Sequence, residues 1–81
     1  MFVYVLKSEV NGKHYVGLTA NFDKRIHEHN SGLFARTRYN RPFIIVHVEI
    51  LSNRSSAREL EKFFKSGYGR EVIKEIESSI P

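Results

Sequence analysis

The chain has 81 residues, 41% of them apolar, which suits one small domain over residues 1–81 and leaves no room for a second core. It has no cysteine, which excludes disulfide bonds and thiolate zinc sites and favours a cytoplasmic location. No apolar run is long enough to span a membrane and no signal peptide is expected, whereas thirteen Lys and Arg against nine Asp and Glu give a net charge of +4 that favours a polyanionic partner such as DNA or RNA.

The N-terminal segment predicts a β-hairpin. Residues 2–8 (FVYVLKS) and 13–19 (KHYVGLT) are rich in β-branched and aromatic residues, and the Asn11-Gly12 pair between them favours a tight turn. Gly17 stands inside the second strand, where a glycine allows another backbone or a ligand to approach closely. Tyr4 and Tyr15 lie on these strands, where a tyrosine is most often a half-buried packing residue with its hydroxyl at the rim.

A first helix is predicted over residues 22–30, with Asn21 as its N-cap and the following Asn-Ser-Gly run as its end. Phe22, Ile26 and Leu33 mark its inward face. Arg25 and His29 lie on the same stripe, four residues apart, so a surface arginine and a dipole-stabilising histidine are the alternatives to functional roles.

The His27-Glu28-His29 run suggests a metal site, but the geometry of a helix excludes it. Residues two apart on a helix point about 200° from each other, so the two imidazoles cannot bind one ion. We expect His27 and Glu28 to face water instead.

The second half of the chain predicts a strand and two helices. The apolar run FIIVHVEIL over residues 43–51 is typical of a central strand covered on both faces. Ser56 and Glu59 form a capping box for a helix that ends at Gly67, and apolar residues recur at helical spacing over residues 70–80. The apolar stripes are formed by Ala57, Leu60, Phe63 and Phe64 in one helix and by Val72, Ile73, Ile76 and Ile80 in the next. The predicted architecture is α+β, in the order ββαβαα.

Glu61 lies at the margin of the apolar stripe of the second predicted helix. A partly screened carboxylate suits either a divalent metal ion or an ion pair with Lys65 one turn later.

Taken together, VYVL with Tyr4, HYVGLT with Tyr15, the Arg25 and His29 helix and the later Glu61 resemble the GIY-YIG nuclease domain, over residues 2 to 75. More narrowly, the chain resembles the small single-domain proteins that are similar to the N-terminal nuclease module of the bacterial excision-repair endonuclease C subunit. The first motif reads Phe2-Val3-Tyr4 here. The family fold, a three-stranded antiparallel sheet flanked by helices, agrees with the predicted elements.

The resemblance implies hydrolysis of DNA phosphodiester bonds with one divalent metal ion, Mg²⁺ or Mn²⁺, in DNA repair or recombination. It implies that Tyr15 is a general base or orients the water, that Tyr4 positions the water or the phosphate, and that Arg25 stabilises charge on the phosphate. His29 would take a proton from Tyr15 or bind the phosphate, and Glu61 would bind the metal.

Substrate contacts are expected from Gly17, which would let the phosphate backbone approach the strand, and from the loop residues Arg36, Arg38 and Arg41. Two other classes of function stay open at this point. One is a nucleic-acid-binding module of the same fold with little catalytic rate, and the other is an interaction module, for example a homodimer, whose tyrosines only pack.

Overall fold

The structure, a computed structural model, describes residues 1–80 and confirms the α+β prediction. One three-stranded antiparallel sheet is flanked by helices on both faces. No helix among the described residues is long and apolar enough to cross a membrane. The elements are β1 (Phe2–Ser8), β2 (His14–Thr19), α1 (Phe22–Ser31), β3 (Phe43–Ile50), α2 (Arg54–Lys65) and α3 (Gly67–Ser78), with a short 3₁₀ helix at Arg38–Asn40.

The central strand is β1, in the order β2-β1-β3, so the prediction that residues 43–51 form the central strand is wrong. Both β1 and β3 carry nearly continuous apolar runs, and composition alone does not say which one is covered on both faces. In β1 the four residues from Val3 to Leu6 are all buried. In β3, by contrast, Ile44 and Ile45 are about half exposed.

Side chains that alternate along β1 supply two separate cores. Val3 and Val5 face α2 and α3 and pack with Ala57, Phe64 and Ile73. On the opposite face, Tyr4 and Leu6 pack with Phe43 and with the apolar residues of α1. The second core is smaller and contains the polar groups described below.

The ends of α1 follow the prediction closely. The Asn21 side chain accepts a hydrogen bond from the backbone N–H of Lys24, and Gly32 ends the helix in the left-handed conformation with φ 83°. Phe22 and Ile26 face the core as expected. Leu33 is 60% exposed, so its assignment to the inward face is wrong, because the chain turns away from the helix at Gly32.

The boundary between α2 and α3 differs from the prediction. The N-cap of α2 is Asn53, whose side chain accepts from the Ser56 N–H, so Ser56 lies inside the helix and forms no capping box. Ser66 alone separates α2 from α3: its N–H bonds to the Phe63 carbonyl, and its hydroxyl accepts from the Gly69 N–H. Gly67 therefore begins α3 instead of ending α2.

The far end of α3 is tied to the hairpin by charge. Glu77 accepts from Lys7 at 2.5 Å and pairs with His14 Nε2 at 2.9 Å. The hydrogen bond from Lys7 is the main reason that the pKa of Glu77 lies below its ordinary value.

Among the residues of the predicted apolar stripes of α2 and α3, two are exposed: Phe63 at 37% and Ile80 at 49%.

The close packing between α2 and α3 predicts different effects on stability for substitutions at two glycines of α3. A Cβ at Gly69 would collide with the Phe63 backbone carbonyl, whereas a Cβ at Gly67 would meet nothing within 4 Å. We expect Gly69→Ala to lower the free energy of unfolding by about 1–3 kcal/mol. Gly67→Ala should leave it unchanged or raise it by up to about 1 kcal/mol. Urea unfolding followed by circular dichroism measures both, and equal values for the two variants would contradict this packing.

Candidate active site

A hydrogen bond joins the central strand to α1 at the middle of the candidate site. The Tyr4 hydroxyl lies 3.1 Å from His29 Nε2, and both side chains are buried, at 4% and 8% exposure. This contact arises because Tyr4 points to the α1 face of β1 and His29 lies in the last turn of α1. The structure thus brings together a phenol and an imidazole that are 25 residues apart in the sequence.

The other ring nitrogen of His29 also has a partner. His29 Nδ1 lies 3.3 Å from the hydroxyl of Thr37, which is itself buried. If the proton is on Nδ1, the ring donates to Thr37 and accepts the Tyr4 hydroxyl proton at Nε2. The rings of Phe34 and Phe43 pack against the imidazole, with centroids at 5.0 and 5.8 Å. His29 is therefore fixed in position by the strand, the loop and two aromatic rings.

Arg25 lies one turn before His29 on α1 and is held next to it. Its guanidinium stands over the Phe34 ring at 5.2 Å, and its Nε lies 3.6 Å from a Glu28 carboxylate oxygen. Glu28 is only partly exposed, so the prediction that it faces water is wrong, whereas His27 is exposed as expected. The ion pair orients Arg25 but is too long and too exposed to neutralise it.

Tyr15 lies on the same face of the sheet but has different partners. Its hydroxyl oxygen accepts from the Asn40 side-chain amide at 2.8 Å, and its ring packs edge-on against Phe43 at 5.3 Å. His29 is hydrogen-bonded to Tyr4, so a direct proton transfer from Tyr15 to His29 is not what this geometry favours. The Tyr15 hydroxyl proton remains available to a water molecule or to a phosphate oxygen.

Gly17 is opposite Tyr4 in the β1–β2 pairing and provides the space for its side chain. A Cβ at this position would overlap the Tyr4 hydroxyl and the ring carbon that carries it. The glycine thus serves the placement of Tyr4, and its expected role in substrate approach stays a prediction.

Glu61 is on α2 and forms no hydrogen bond to the other four predicted catalytic residues. Its carboxylate is 19% exposed and pairs with Lys65 at 3.2 Å, as one of the two alternatives predicted. It is nevertheless close enough to the phenol for its charge to contribute to the pKa of Tyr4. Among residues 1–80 no three His, Cys, Asp or Glu side chains form a cluster that could hold a metal ion. A single carboxylate fits only an ion that keeps most of its water, as Mg²⁺ does.

The environment sets the protonation of the central pair. Burial raises the pKa of Tyr4, and the nearby charge of Arg25 opposes this rise. Burial also lowers the pKa of His29, and Arg25 lowers it further. Both groups are therefore neutral at neutral pH, a state in which the phenol can donate and the imidazole can accept.

The three loop arginines do not behave alike. Arg36 lines the same groove as Tyr4, Tyr15, Arg25 and His29. Arg38 instead donates to the Gly32 carbonyl at 3.2 Å, and Arg41 packs against Gly32 where a Cβ would collide with it. Two of the three thus brace the end of α1, and their expected contacts with substrate stay a prediction.

Sequence reasoning missed Phe34, Thr37 and Asn40, the loop residues that position Arg25, His29 and Tyr15. They follow no helical or strand periodicity. Nor does the sequence show a local signal for Thr37. It directly precedes the 3₁₀ helix but forms no capping hydrogen bond there, and its hydroxyl instead contacts His29.

The groove is lined by the phenols of Tyr4 and Tyr15 on the sheet and by Arg25 and His29 on α1, whereas Glu61 lies outside this lining, on α2. The sequence pattern of the GIY-YIG catalytic domain matches residues 1–75, and the chain belongs to this family, within the GIY-YIG nuclease superfamily.

Among similar proteins is a UPF0213 protein of Staphylococcus haemolyticus, 35% identical over 77 residues, which cover 94% of this chain and 93% of the relative. A UPF0213 protein of Enterococcus faecalis is 37% identical over 67 residues, covering 79% of this chain and 75% of the relative. A UPF0213 protein of Listeria welshimeri is 38% identical over 65 residues, covering 79% of this chain and 71% of the relative. No solved structure matches the chain.

The buried environment of His29 predicts a specific pH response. Its pKa should lie below that of an exposed histidine, so as the pH falls from about 7 to 5 the unfolded chain takes up a proton before the folded protein does, and the folded state loses stability. Nitrogen-15 NMR of the imidazole measures the titration directly. His29→Asn should remove this part of the pH dependence of unfolding. A His29 that titrates at or above the ordinary value contradicts the described burial.

Gly17→Ala should displace Tyr4 and break its bond to His29. We expect a loss of about 1–3 kcal/mol in the free energy of unfolding, because the added methyl group overlaps a buried ring. The imidazole nitrogen shifts of His29 should change together with this loss. Gly12→Ala serves as a control with the same chemical change at a site where no atom lies within 4 Å, although its φ of 73° adds backbone strain. Unchanged His29 shifts in Gly17→Ala would contradict the assigned role of Gly17.

Proposed function

We propose that this protein is a metal-dependent endonuclease that hydrolyses phosphodiester bonds in DNA. The observation that carries the proposal is the convergence of Tyr4, His29 and Arg25 at one groove in a chain of the GIY-YIG catalytic domain family. The groove is also lined by Lys13, Arg36, Lys65, Arg70 and Lys74, which suits a phosphate backbone. A role in DNA repair or recombination is part of the same proposal.

The neutral Tyr4–His29 pair supports a defined division of labour. Tyr4 would bind the attacking water, and as its oxygen takes a proton from that water its own proton would pass to His29 Nε2, 3.1 Å away. To accept this proton His29 must be in the tautomer with hydrogen on Nδ1, in which Nδ1 donates to the Thr37 hydroxyl. Tyr15, whose hydroxyl proton is available, orients the water or a phosphate oxygen. This arrangement moves the proton-accepting role expected for Tyr15 to Tyr4 and His29.

Charge stabilisation falls to Arg25 and Glu61. Arg25 supplies a permanently charged, forked donor for the negative charge that develops on the phosphate oxygens. Glu61 would hold one Mg²⁺ or Mn²⁺ ion, which when bound supplies Lewis-acid stabilisation of the phosphate and the leaving oxygen. Lys65 pairs with Glu61, so this ion pair must break before the carboxylate can bind the metal ion. The released lysine could then bind a substrate phosphate.

Plasmid nicking in Mg²⁺ or Mn²⁺ tests the proposal. Arg25→Ala and Glu61→Gln should each lower the rate by about a hundredfold or more. Two control variants should keep the nicking rate of the wild type. Glu59→Gln removes an exposed carboxylate from the helix that carries Glu61 and is the control for Glu61→Gln. His27→Ala removes an exposed imidazole from α1 and is the control for His29→Ala. Nicking that survives in EDTA, or in both Arg25→Ala and Glu61→Gln, would overturn the proposal. Salt-dependent DNA binding with no cleavage would instead identify a binding module.

A further inference from the structure

A second hollow lies beside the active-site groove, at the start of both α1 and α2. We call it the N-terminal hollow, and its lining includes Leu18, Thr19, Asn21, Lys24, Arg25 and Arg54. Neither the predicted catalytic residues nor the expected loop contacts account for it, apart from Arg25.

The N-terminal hollow carries positive charge that the described residues leave unpaired. Lys24 and Arg54 are exposed, and neither makes an ion pair with any acidic side chain in residues 1–80. The one carboxylate in its lining is Glu28, which is paired with Arg25. Its cations are therefore available to an anion.

Arg25 connects this hollow to the active-site groove, because it lines both. The two helices run the same way. On α1, Lys24 lies at the hollow and His29 in the groove, and on α2, Arg54 lies at the hollow and Lys65 in the groove. Arg54, Arg58, Glu61 and Lys65 follow one another at spacings of four, three and four, which places them on one side of α2. Arg25 and Glu61 thus lie between the unpaired Lys24 and Arg54 on one side and Lys65, which is paired with Glu61, on the other.

We propose that the backbone of one nucleic acid strand passes through both concavities, with Lys24 and Arg54 binding phosphates on one side of the scissile bond. The proposal rests on the proposed function, since it takes the phosphate at Arg25 as the one that is cleaved. Lys65, Arg70 and Arg36 then hold the strand on the other side. The substrate class that fits is a continuous strand cut at an internal bond.

The shared arginine distinguishes a strand from a small anion. A free phosphate or a nucleotide fills one concavity and gains nothing from the other. A strand contacts both, and each phosphate that it places on a cation releases counterions. Binding to both concavities should therefore strengthen with oligonucleotide length up to the span of the path.

The test compares two exposed cations on α2, an arginine at the N-terminal hollow and a lysine outside both concavities. Arg54→Ala removes a charge from the N-terminal hollow, and Lys62→Ala removes one from a residue of the same helix that lines neither concavity. Binding of a single-stranded oligodeoxynucleotide of about 12 residues is followed by fluorescence anisotropy in EDTA, across a range of salt concentrations. We expect Arg54→Ala to weaken binding about three- to tenfold and to lower the salt slope by about 0.7, whereas Lys62→Ala changes affinity less than about twofold.

Lys24→Ala, on the other helix, should match Arg54→Ala and provides a second variant of the hollow. Equal effects of Arg54→Ala and Lys62→Ala would overturn the inference, because they would mean a diffuse attraction to net charge. If thymidine 5′-phosphate shifts the amide NMR signals of the hollow as strongly as the oligonucleotide at equal concentration, the hollow is a small-anion site and the inference is also wrong. A matching oligoribonucleotide tells whether the path distinguishes DNA from RNA.

These outcomes are separate from the failure of the proposed function. If nicking depends on Arg25 and Glu61 while Arg54→Ala behaves like Lys62→Ala, the nuclease assignment holds and the two-sided path does not. If the oligonucleotide binds through Lys24 and Arg54 while nicking is absent, the path exists without the chemistry.

Discussion

The constraint on which the site depends is the burial of an imidazole between a strand and a helix. A buried histidine must find a partner for each ring nitrogen, and His29 finds them in Tyr4 and Thr37. Each partner adds a condition of its own. Tyr4 can lean toward α1 only because residue 17 has no side chain, and Thr37 can reach the ring only because the loop after α1 folds back over it. One hydrogen-bonded pair thereby dictates a glycine in β2 and the course of a loop.

The two faces of the sheet divide stability and chemistry between them. The face toward α2 and α3 is packed with aliphatic and aromatic side chains and contains no candidate catalytic group among its buried members. The other face places a phenol and an imidazole where a stability-driven core would have apolar residues. Every buried side-chain nitrogen and oxygen among the described residues has a hydrogen-bond partner, so this polar core is satisfied without water. A small domain can hold such a site because the opposite face supplies most of the apolar burial.

Local physics made part of this structure predictable from the sequence. Asn21 as a cap, the turn at Gly12 and the shared stripe of Arg25 and His29 depend on residues within a few positions of each other. The exchange of roles between β1 and β3 depends on which apolar run the chain pairs on both sides, a nonlocal outcome. Likewise Asn53 and Ser56 are both residue types that favour the N-cap position. The N-cap is Asn53, because the helix already includes Arg54 and Ser55. The partners of His29 and Tyr15 lie in an aperiodic loop, where no pattern connects Thr37 or Asn40 to the residues they bind.

The junction of α2 and α3 consists of a single residue, Ser66, which caps both helices. Hinges absorb motion in a few loop residues, but this junction has one residue, and it is engaged by both helices, with Gly69 packed against the Phe63 carbonyl. The other end of α3 is fastened to the hairpin through Glu77. The helix that carries Glu61 is thus connected, through Ser66 and α3, to the hairpin that contains Tyr15. Under the proposed function, the Glu61 carboxylate would reach an ion by rotation about its own side-chain bonds, without a change in this helix junction.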